Sequence, residues 1–177
     1  SIVSKAVDCI NQVLMAIPPF FSGMLITYFF GIVLRLFVPG GFVSYKRSFR
    51  EFILYLIFPV IAIALPKSAM TIRMLKMSIL SEAGKDYVRT AYSRGNTTTA
   101  VMYKHVLKNA FIPVITFLGM TLSDIVAGSL IVEQVFSIPG LGRLLVTSIS
   151  NRDYPVVQAI IVLIVVIVVV INLLVDV

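Results

Sequence analysis

The segment Val156–Val175 is the most informative stretch of this chain, and its sequence is VVQAIIVLIVVIVVVINLLV. It contains no charged residue, and its only polar side chains are Gln158 and Asn172. The β-branched residues at its centre would suit a buried strand if the run were short. A helix of this length, however, rises about 1.5 Å per residue and crosses a hydrocarbon core of about 30 Å. The segment therefore predicts a membrane-spanning helix.

The composition of the whole chain agrees with a membrane protein. Of its 177 residues, 59% are hydrophobic and 13% are charged, whereas soluble domains average about 45–50% apolar and about 25% charged residues. This composition excludes a disordered chain, and the single cysteine, Cys9, excludes a disulfide-stapled secreted scaffold. The net charge of +7 is better explained by basic cytoplasmic loops than by binding of nucleic acid.

Three further apolar segments predict a bundle of about four spans. They are Val13–Val38, with Pro18-Pro19 near its start; Phe52–Leu65, which we expect to continue past Pro66 toward Met77; and Ile112–Val135, which is interrupted by Asp124 and Glu133. No second domain is evident, so residues 1–177 are predicted to form a single all-α transmembrane domain. Because Ser1 is not an initiator methionine and the last span runs to the end of the chain, we expect this domain to be truncated from a larger bundle.

The polar segments between these spans indicate an orientation. They cover residues 39–51, 67–108 and 137–153, and the middle one contains the most Lys and Arg. Since basic residues concentrate in cytoplasmic loops, we expect the middle segment, and with it both chain ends, to be cytoplasmic.

Residues 81–109 have the pattern of a helix, a glycine turn and a second helix. We expect Ser81-Glu82-Ala83 to begin the first helix and Gly95 to end it in a left-handed conformation. Thr97 or Thr98 is then expected to cap the second helix. The apolar residues of the two helices are Tyr87, Val88, Ala91 and Tyr92, and Val101, Met102, Val106, Leu107 and Ala110. Because such short helices cannot bury an apolar face alone, a partner surface is expected.

This segment resembles the cytoplasmic EAA loop of ABC importer permeases. The resemblance lies in Arg89–Gly95 (RTAYSRG), Lys104–Ala110 (KHVLKNA) and Ile112–Val114 (IPV). Counted from Gly95, the two alanines of the general pattern fall on Thr90 and Ala91, and its glutamate falls on Arg89. At these positions the chain is most similar to the dipeptide, oligopeptide and nickel branch, first-permease type. Residues 131–145 (IVEQVFSIPGLGRLL) and 151–158 (NRDYPVVQ) resemble the same branch.

The resemblance implies the type I ABC importer permease fold and a subunit of an ATP-driven importer of short peptides, nickel or another small solute. It implies that residues 81–109 dock as a coupling loop on an ATPase subunit. The residues implied in docking are Arg89, Thr90, Ala91, Arg94, Gly95, Thr97, Lys104 and Leu107. The alternative is a solvent-exposed basic loop without a docking role, whose positive charge reflects only the enrichment of Lys and Arg in cytoplasmic loops.

The resemblance also implies the environment and the partners of the chain. They are a bacterial cytoplasmic (inner) membrane, two ABC ATPase subunits, a second permease subunit in a heterodimer and an extracytoplasmic solute-binding protein. The chain has no P-loop, so we expect it to be no enzyme itself and to bind no cofactor, with ATP and Mg held by the ATPase subunits. The only histidine, His105, lacks the neighbours of a metal site.

The candidates for a translocation path are Asp124, Gly128 and Glu133. A carboxylate in mid-span costs about 2.5–3.5 kcal/mol on insertion scales. Asp124 therefore either lines the path, where it would attract a cationic group such as a peptide amino terminus, or bonds to a neighbouring helix. Glu133 is expected to anchor the following loop by pairing with Arg143 or Arg152.

Other features of the same spans suggest packing and one alternative function. The small residues Gly119, Ser123 and Ala127 predict close packing of a helix, and residues 138–150 predict a turn followed by a short amphipathic helix. The alternative function is an ion-coupled secondary transporter or a channel subunit that uses Asp124.

Overall fold

The structure is a computed structural model that describes residues 2–176, with the side chains of residues 5–126 and 128–175. Its helices are α1 (Ile2–Ala16), α2 (Pro19–Ile26), α3 (Phe49–Ala83), α4 (Asp86–Ser93), α5 (Thr98–Val101), α6 (Lys108–Val135), α7 (Leu141–Ser150) and α8 (Tyr154–Asp176). A π-helical segment, Thr27–Val33, continues α2, and another, Met102–Leu107, joins α5 to α6. Every regular element in this part of the chain is helical, which confirms the all-α prediction.

Three helices are long and apolar enough to cross a membrane. They are α3, the helix that begins at Thr98 and runs into α6, and α8. Helices α1 and α2 meet at a bend of 100°, and the bent pair counts as a fourth span if it crosses the membrane as one unit. The predicted bundle of about four spans is thus confirmed, but the predicted bounds Val13–Val38 are wrong. Pro18 has an extended backbone because a residue before proline avoids the helical region, so the helix that precedes it ends at Ala16.

Helix α3 continues through Pro59 and Pro66, as the sequence predicted. Proline lacks the N–H that would bond to the carbonyl four residues earlier, which for Pro66 is the carbonyl of Ala62. The hydroxyl of Ser22 on α2 donates to this carbonyl at 2.8 Å. A side chain of a neighbouring helix therefore supplies the hydrogen bond that Pro66 removes.

The length of α3 corrects the predicted polar segment 67–108. Its 35 residues extend about 52 Å, well beyond a hydrocarbon core of about 30 Å. Lys67, Arg73 and Lys76 consequently lie within a helix, as the expected continuation toward Met77 implied, and the polar segment between helices begins only after Ala83. The ammonium of Lys76 contacts both carboxylate oxygens of Asp8 at 2.7 Å, so that α1 is bonded to this part of α3.

Helices α3 and α6 pack antiparallel along most of their length. The hydroxyl of Tyr55 donates to the carbonyl of Phe136, and Lys67 Nζ lies 3.1 Å from Asp124 Oδ2. Twelve residues separate the two contacts on each helix, so both contacts belong to one register. The end of the bundle at Phe136 is called the far end here, and the end at residues 81–109 is called the loop end.

A buried cluster of apolar residues fixes the far end of the bundle. Its buried members are Ile26, Tyr55, Ala62, Val132 and Phe136. Phe136 is 1% exposed, and the rings of Phe37 and Phe58 stack beside this cluster at 4.1 Å between centroids. Helices α2, α3 and α6 are therefore held together at this end.

Helix α8 packs on the small residues of α6. A Cβ atom at Gly119 would collide with the side chain of Val175, and the hydroxyl of Ser123 donates to Asn172 Oδ1 at 2.8 Å. The predicted close packing is therefore confirmed at Gly119 and Ser123, whereas the side chain of Ala127 lies outside the described residues.

Candidate functional site

The loop end begins where α3 ends. Ser81-Glu82-Ala83 forms the last turn of α3 and does not begin a new helix, which corrects the prediction. A turn at Gly84 and Lys85 follows, and α4 starts at Asp86. The negative charge of Asp86 in the first turn is favourable because the N-terminus of a helix carries a partial positive charge.

The second half of the loop end follows the predicted signals. Gly95 has a φ of +80°, a left-handed conformation that glycine adopts without strain, and α4 ends just before it. The hydroxyl of Thr97 accepts the N–H of Ala100 at 3.3 Å and so caps α5. Since the π-helical segment joins α5 to α6, the second predicted helix is the beginning of the long spanning helix.

The loop end has a core of its own. Its buried residues are Val88 and Ala91 of α4, Val101 of α5 and Val106 of the π-helical segment; they are called the loop core here. Ile79, Ala83, Tyr87 and Met102 pack against it. Most of these apolar residues therefore cover each other, so the exposed residues around the loop core, and not the loop core itself, are left for a partner. The loop core also connects α4 to both long helices.

The predicted docking residues lie in different surroundings. Those that are exposed are Arg89, Thr90, Arg94, Gly95, Thr97 and Lys104. Ala91 is 7% exposed and belongs to the loop core. Leu107 is partly buried and lines a pocket of about 230 Å³ together with Ile79, Met102 and Tyr103.

Two tyrosines extend this exposed surface, and neither of them was predicted to belong to it. Tyr92 is 40% exposed and Tyr103 is 71% exposed. Tyrosine is enriched at protein interfaces, so an aromatic residue beside the basic positions was the available signal. The residues Arg89, Thr90, Tyr92, Arg94, Tyr103 and Lys104 are called the loop surface here.

A small polar network fixes the angle between α3 and α4. The carboxylate of Glu82 accepts hydrogen bonds from the Lys85 ammonium and, at 2.7 Å, from the Tyr87 hydroxyl. The hydrogen bond to Glu82 raises the pKa of Lys85. The Lys85 side chain is 53% exposed, and a pair with one member at the surface adds little stability, so the network acts mainly by restricting the orientation of α4.

A second candidate site lies midway along the long helices. Lys67 Nζ contacts Asp124 Oδ2 at 3.1 Å, and the Lys67 side chain is 19% exposed whereas that of Asp124 is 69% exposed. Lys67 was not predicted as a site residue, because its charge was counted in the polar segment 67–108 even though the span was expected to continue past Pro66 toward Met77. The available signal was the apolar pattern that continues past Pro66 and so places Lys67 inside a helix.

Gly128 lies one helical turn from Asp124 on the same exposed face of α6. A Cβ atom at this position would meet no atom within 4 Å. Met120, one turn on the other side, is 59% exposed. The face that contains Asp124 is therefore open along at least two turns.

Glu133 holds the turn that precedes α7. Its Oε2 accepts the backbone N–H of Gly142 at 2.7 Å and that of Arg143 at 3.4 Å, so the anchoring role is confirmed. The predicted pairing is wrong, because the guanidinium of Arg143 donates to the carbonyl of Ser137 at 2.9 Å, and the ion pairs found within residues 2–176 do not include Glu133. Since this carboxylate is engaged at α7, a place for Glu133 in a translocation path stays a prediction.

The glycines of this turn allow close approach to α6. A Cβ atom at Gly142 would lie 2.7 Å from the carbonyl oxygen of Leu130, and one at Gly140 would collide with the Glu133 carboxylate. The predicted turn and short helix are confirmed by α7.

Comparisons with known proteins agree with these features. The family model described as binding-protein-dependent transport system inner membrane component matches residues 1–177. The probable peptide ABC transporter permease protein y4tP of Sinorhizobium fredii is 36% identical, over 98% of this chain and 56% of that protein. The oligopeptide transport system permease protein AppB of Bacillus subtilis is 38% identical, over 92% and 52%. The glutathione transport system permease protein GsiC of Escherichia coli is 39% identical, over 92% and 51%. The chain spans about half the length of the curated relatives it matches.

Proposed function

The chain belongs to the family of binding-protein-dependent transport system inner membrane components, and we propose that it acts as the permease subunit of an ATP-driven importer of short peptides. Three similar proteins are named as permeases for peptides, oligopeptides and glutathione, which supports a peptide substrate over nickel or another small solute. The same names favour an importer subunit over a secondary transporter or channel.

The observation that carries this proposal is the attachment of α4 to both long helices. Val88, Val101 and Val106 are at most 2% exposed, and full burial of a valine contributes about 1.5–3 kcal/mol. The sum is several times the thermal energy. A force applied to α4 is therefore transmitted to α3 and α6 before α4 detaches from them.

The loop surface offers the chemistry for docking on an ABC ATPase subunit. Arg89, Arg94 and Lys104 provide positive charge, and the exposed tyrosines provide apolar area with a polar tip. Ala91 is buried in the loop core, so it supports this surface from below. The exposed residues beside it make the contact with the ATPase subunit. ATP and Mg are held by the ATPase subunits in this proposal, and the chain itself binds no cofactor.

The remaining components and the orientation complete the proposal. A second permease subunit in a heterodimer and an extracytoplasmic solute-binding protein complete the complex, which lies in a bacterial inner membrane. The loop end is cytoplasmic, as the basic residues of the loop surface and of the end of α3 suggest. Asp124 and Gly128, on the open face of α6, line the translocation path.

The test is purification of the tagged full-length protein from its own membranes in mild detergent. We expect an ATPase subunit to co-purify with the wild type and to be lost from the double variant Arg89→Glu/Arg94→Glu. The matched control is Arg47→Glu/Arg50→Glu, which makes the same change of charge at two exposed residues near the far end. Retention of the ATPase by the first variant would refute docking at the loop surface. A folded wild-type protein without any ATPase would refute the importer proposal.

A further inference from the structure

The ion pair between Lys67 and Asp124 is exposed on one side only. The lysine side chain is 19% exposed, whereas the carboxylate-bearing side chain is 69% exposed. Lys67 contacts Oδ2, and among the described residues Oδ1 accepts no hydrogen bond. The carboxylate thus keeps one acceptor oxygen for a further donor.

The packing of α3 against α6 does not depend on this pair. The two helices are joined at the far end by the bond from Tyr55 to Phe136 and at the loop end by the loop core. Between them, Val114 and Thr121 of α6 are 1% and 6% exposed. The two helices are therefore held together by contacts other than this pair.

The position of Asp124 disfavours exposure to lipid. It lies about 24 Å along α6 from Lys108 and about 16 Å from Val135, well inside this apolar helix. A charged side chain exposed to hydrocarbon at this depth is costly, so such residues face the bundle interior or a water-filled cavity. The open space at Gly128, one turn away, leaves room for a ligand beside the carboxylate.

We propose that the Lys67–Asp124 pair is a binding site for the charged ends of a zwitterionic peptide, an inference that rests on the proposed import of peptides. The ammonium group of the peptide binds the Asp124 carboxylate, and the peptide carboxylate binds the Lys67 ammonium. No proton is transferred. The pair and the peptide each carry zero net charge, so binding leaves no uncompensated charge in a medium where such a charge is expensive.

This arrangement predicts selectivity for free termini. An N-acetylated peptide lacks the group that Asp124 binds, and a C-amidated peptide lacks the group that Lys67 binds. A hydrogen bond to a charged group contributes about 1.5–3 kcal/mol, which corresponds to a change in affinity of about 10- to 150-fold.

The experiment uses the full-length protein with its partner subunits, reconstituted in vesicles and supplied with ATP. The probes are radiolabelled alanyl-phenylalanine and its N-acetylated and C-amidated forms. We expect Asp124→Asn to raise the KM for the free dipeptide at least about tenfold and to leave the KM for the N-acetylated form unchanged. Lys67→Met should raise the KM for the free dipeptide by a similar factor and leave the KM for the C-amidated form unchanged. The control is Ser123→Ala, whose side chain contacts α8 and which should not alter the preference among the three probes.

Three results would refute the proposed binding site at Lys67 and Asp124 without refuting peptide import. They are a wild type without preference for the free dipeptide, an equal loss of uptake of all three probes in Asp124→Asn, and wild-type KM values in the double variant Lys67→Met/Asp124→Asn. The double variant also distinguishes misfolding, because it removes both charges together and leaves neither unpaired. A wild type that takes up none of the three probes would instead refute peptide import, and the proposed binding site with it.

Discussion

The hydroxyl of Ser22 allows a quantitative test of how this bundle accommodates a proline in a spanning helix. It lies 2.8 Å from the carbonyl oxygen of Ala62, the carbonyl that Pro66 leaves without a backbone partner. Ala62 is 0% exposed, so neither water nor lipid headgroups can replace the hydroxyl. The perturbation is Ser22→Ala, alone and combined with Pro66→Ala, which restores the backbone N–H.

The structure sets the size of the expected effect. An unsatisfied buried polar group costs about 1–3 kcal/mol in soluble proteins, whereas hydrogen bonds between membrane helices average about 0.6 kcal/mol. We expect Ser22→Ala to cost at least about 1 kcal/mol, because the acceptor has no alternative donor. With Pro66→Ala present, the cost should fall close to zero. The single hydroxyl proton of Ser22 is shared between the Ala62 carbonyl and the Pro19 carbonyl, each at 2.8 Å, and in the Pro66→Ala background it can bond to Pro19 alone.

The assay is reversible unfolding of the purified full-length protein in mixed detergent micelles for the four members of this double-mutant cycle. The control is Thr121→Val, which removes a hydroxyl bonded to the Phe117 carbonyl at 2.8 Å in a turn without proline. That carbonyl keeps the backbone N–H of residue 121, so we expect a change of at most a few tenths of a kcal/mol. A coupling energy between residues 22 and 66 below about 0.3 kcal/mol, the level of independent sites, would refute the reasoning.

Two further variants, Gly142→Ala and Val106→Ala, test the contacts of α7 and the loop core, and Gly128→Ala is the control for the first. Gly142→Ala should destabilise the protein by about 1–3 kcal/mol through overpacking against Leu130, whereas Gly128→Ala, with open space around its Cβ, should not; equal thermal unfolding temperatures of the two variants would contradict this. Val106→Ala should loosen the loop core and raise the hydrogen-exchange rate of amides in α4 at least about tenfold. Amides of α8 serve as the internal control. Unchanged exchange rates in α4 would show that the loop core does not hold α4 in place.

The sequence allowed the spanning helices to be predicted because their apolar runs are long. The twenty residues from Val156 form α8 almost as predicted, and α3 passes through Pro66 as expected. The bend at Pro18 was missed because apolar residues continue on both sides of it. Hydropathy indicates that a residue prefers an apolar environment, but it does not indicate the direction of the helix to which the residue belongs.

The turn at the loop end shows a second limit of sequence analysis. Residues 67–83 contain several charges, so they were counted in a polar segment even though the span was expected to continue toward Met77; in the structure all of them continue α3, by about five helical turns. This part of α3 is stabilised by contacts that are distant in sequence, such as Lys76 with Asp8 and Ile79 with the loop core. Gly95 and Thr97 were predicted correctly because their roles depend on local backbone conformation and local hydrogen bonds.

The two candidate sites are connected through the same pair of helices. The loop core joins α3 and α6 at one end, and the contact of Tyr55 with Phe136 joins them at the other. The Lys67–Asp124 pair lies between these two attachments, so a sliding of α3 along α6 that would break the pair is resisted at both ends. In the proposed importer, a displacement of α4 therefore moves α3 and α6 as one hairpin and leaves the pair intact. In this proposal, we expect the surface opposite the open face of Asp124 to change during transport and so to give or deny a peptide access to the pair.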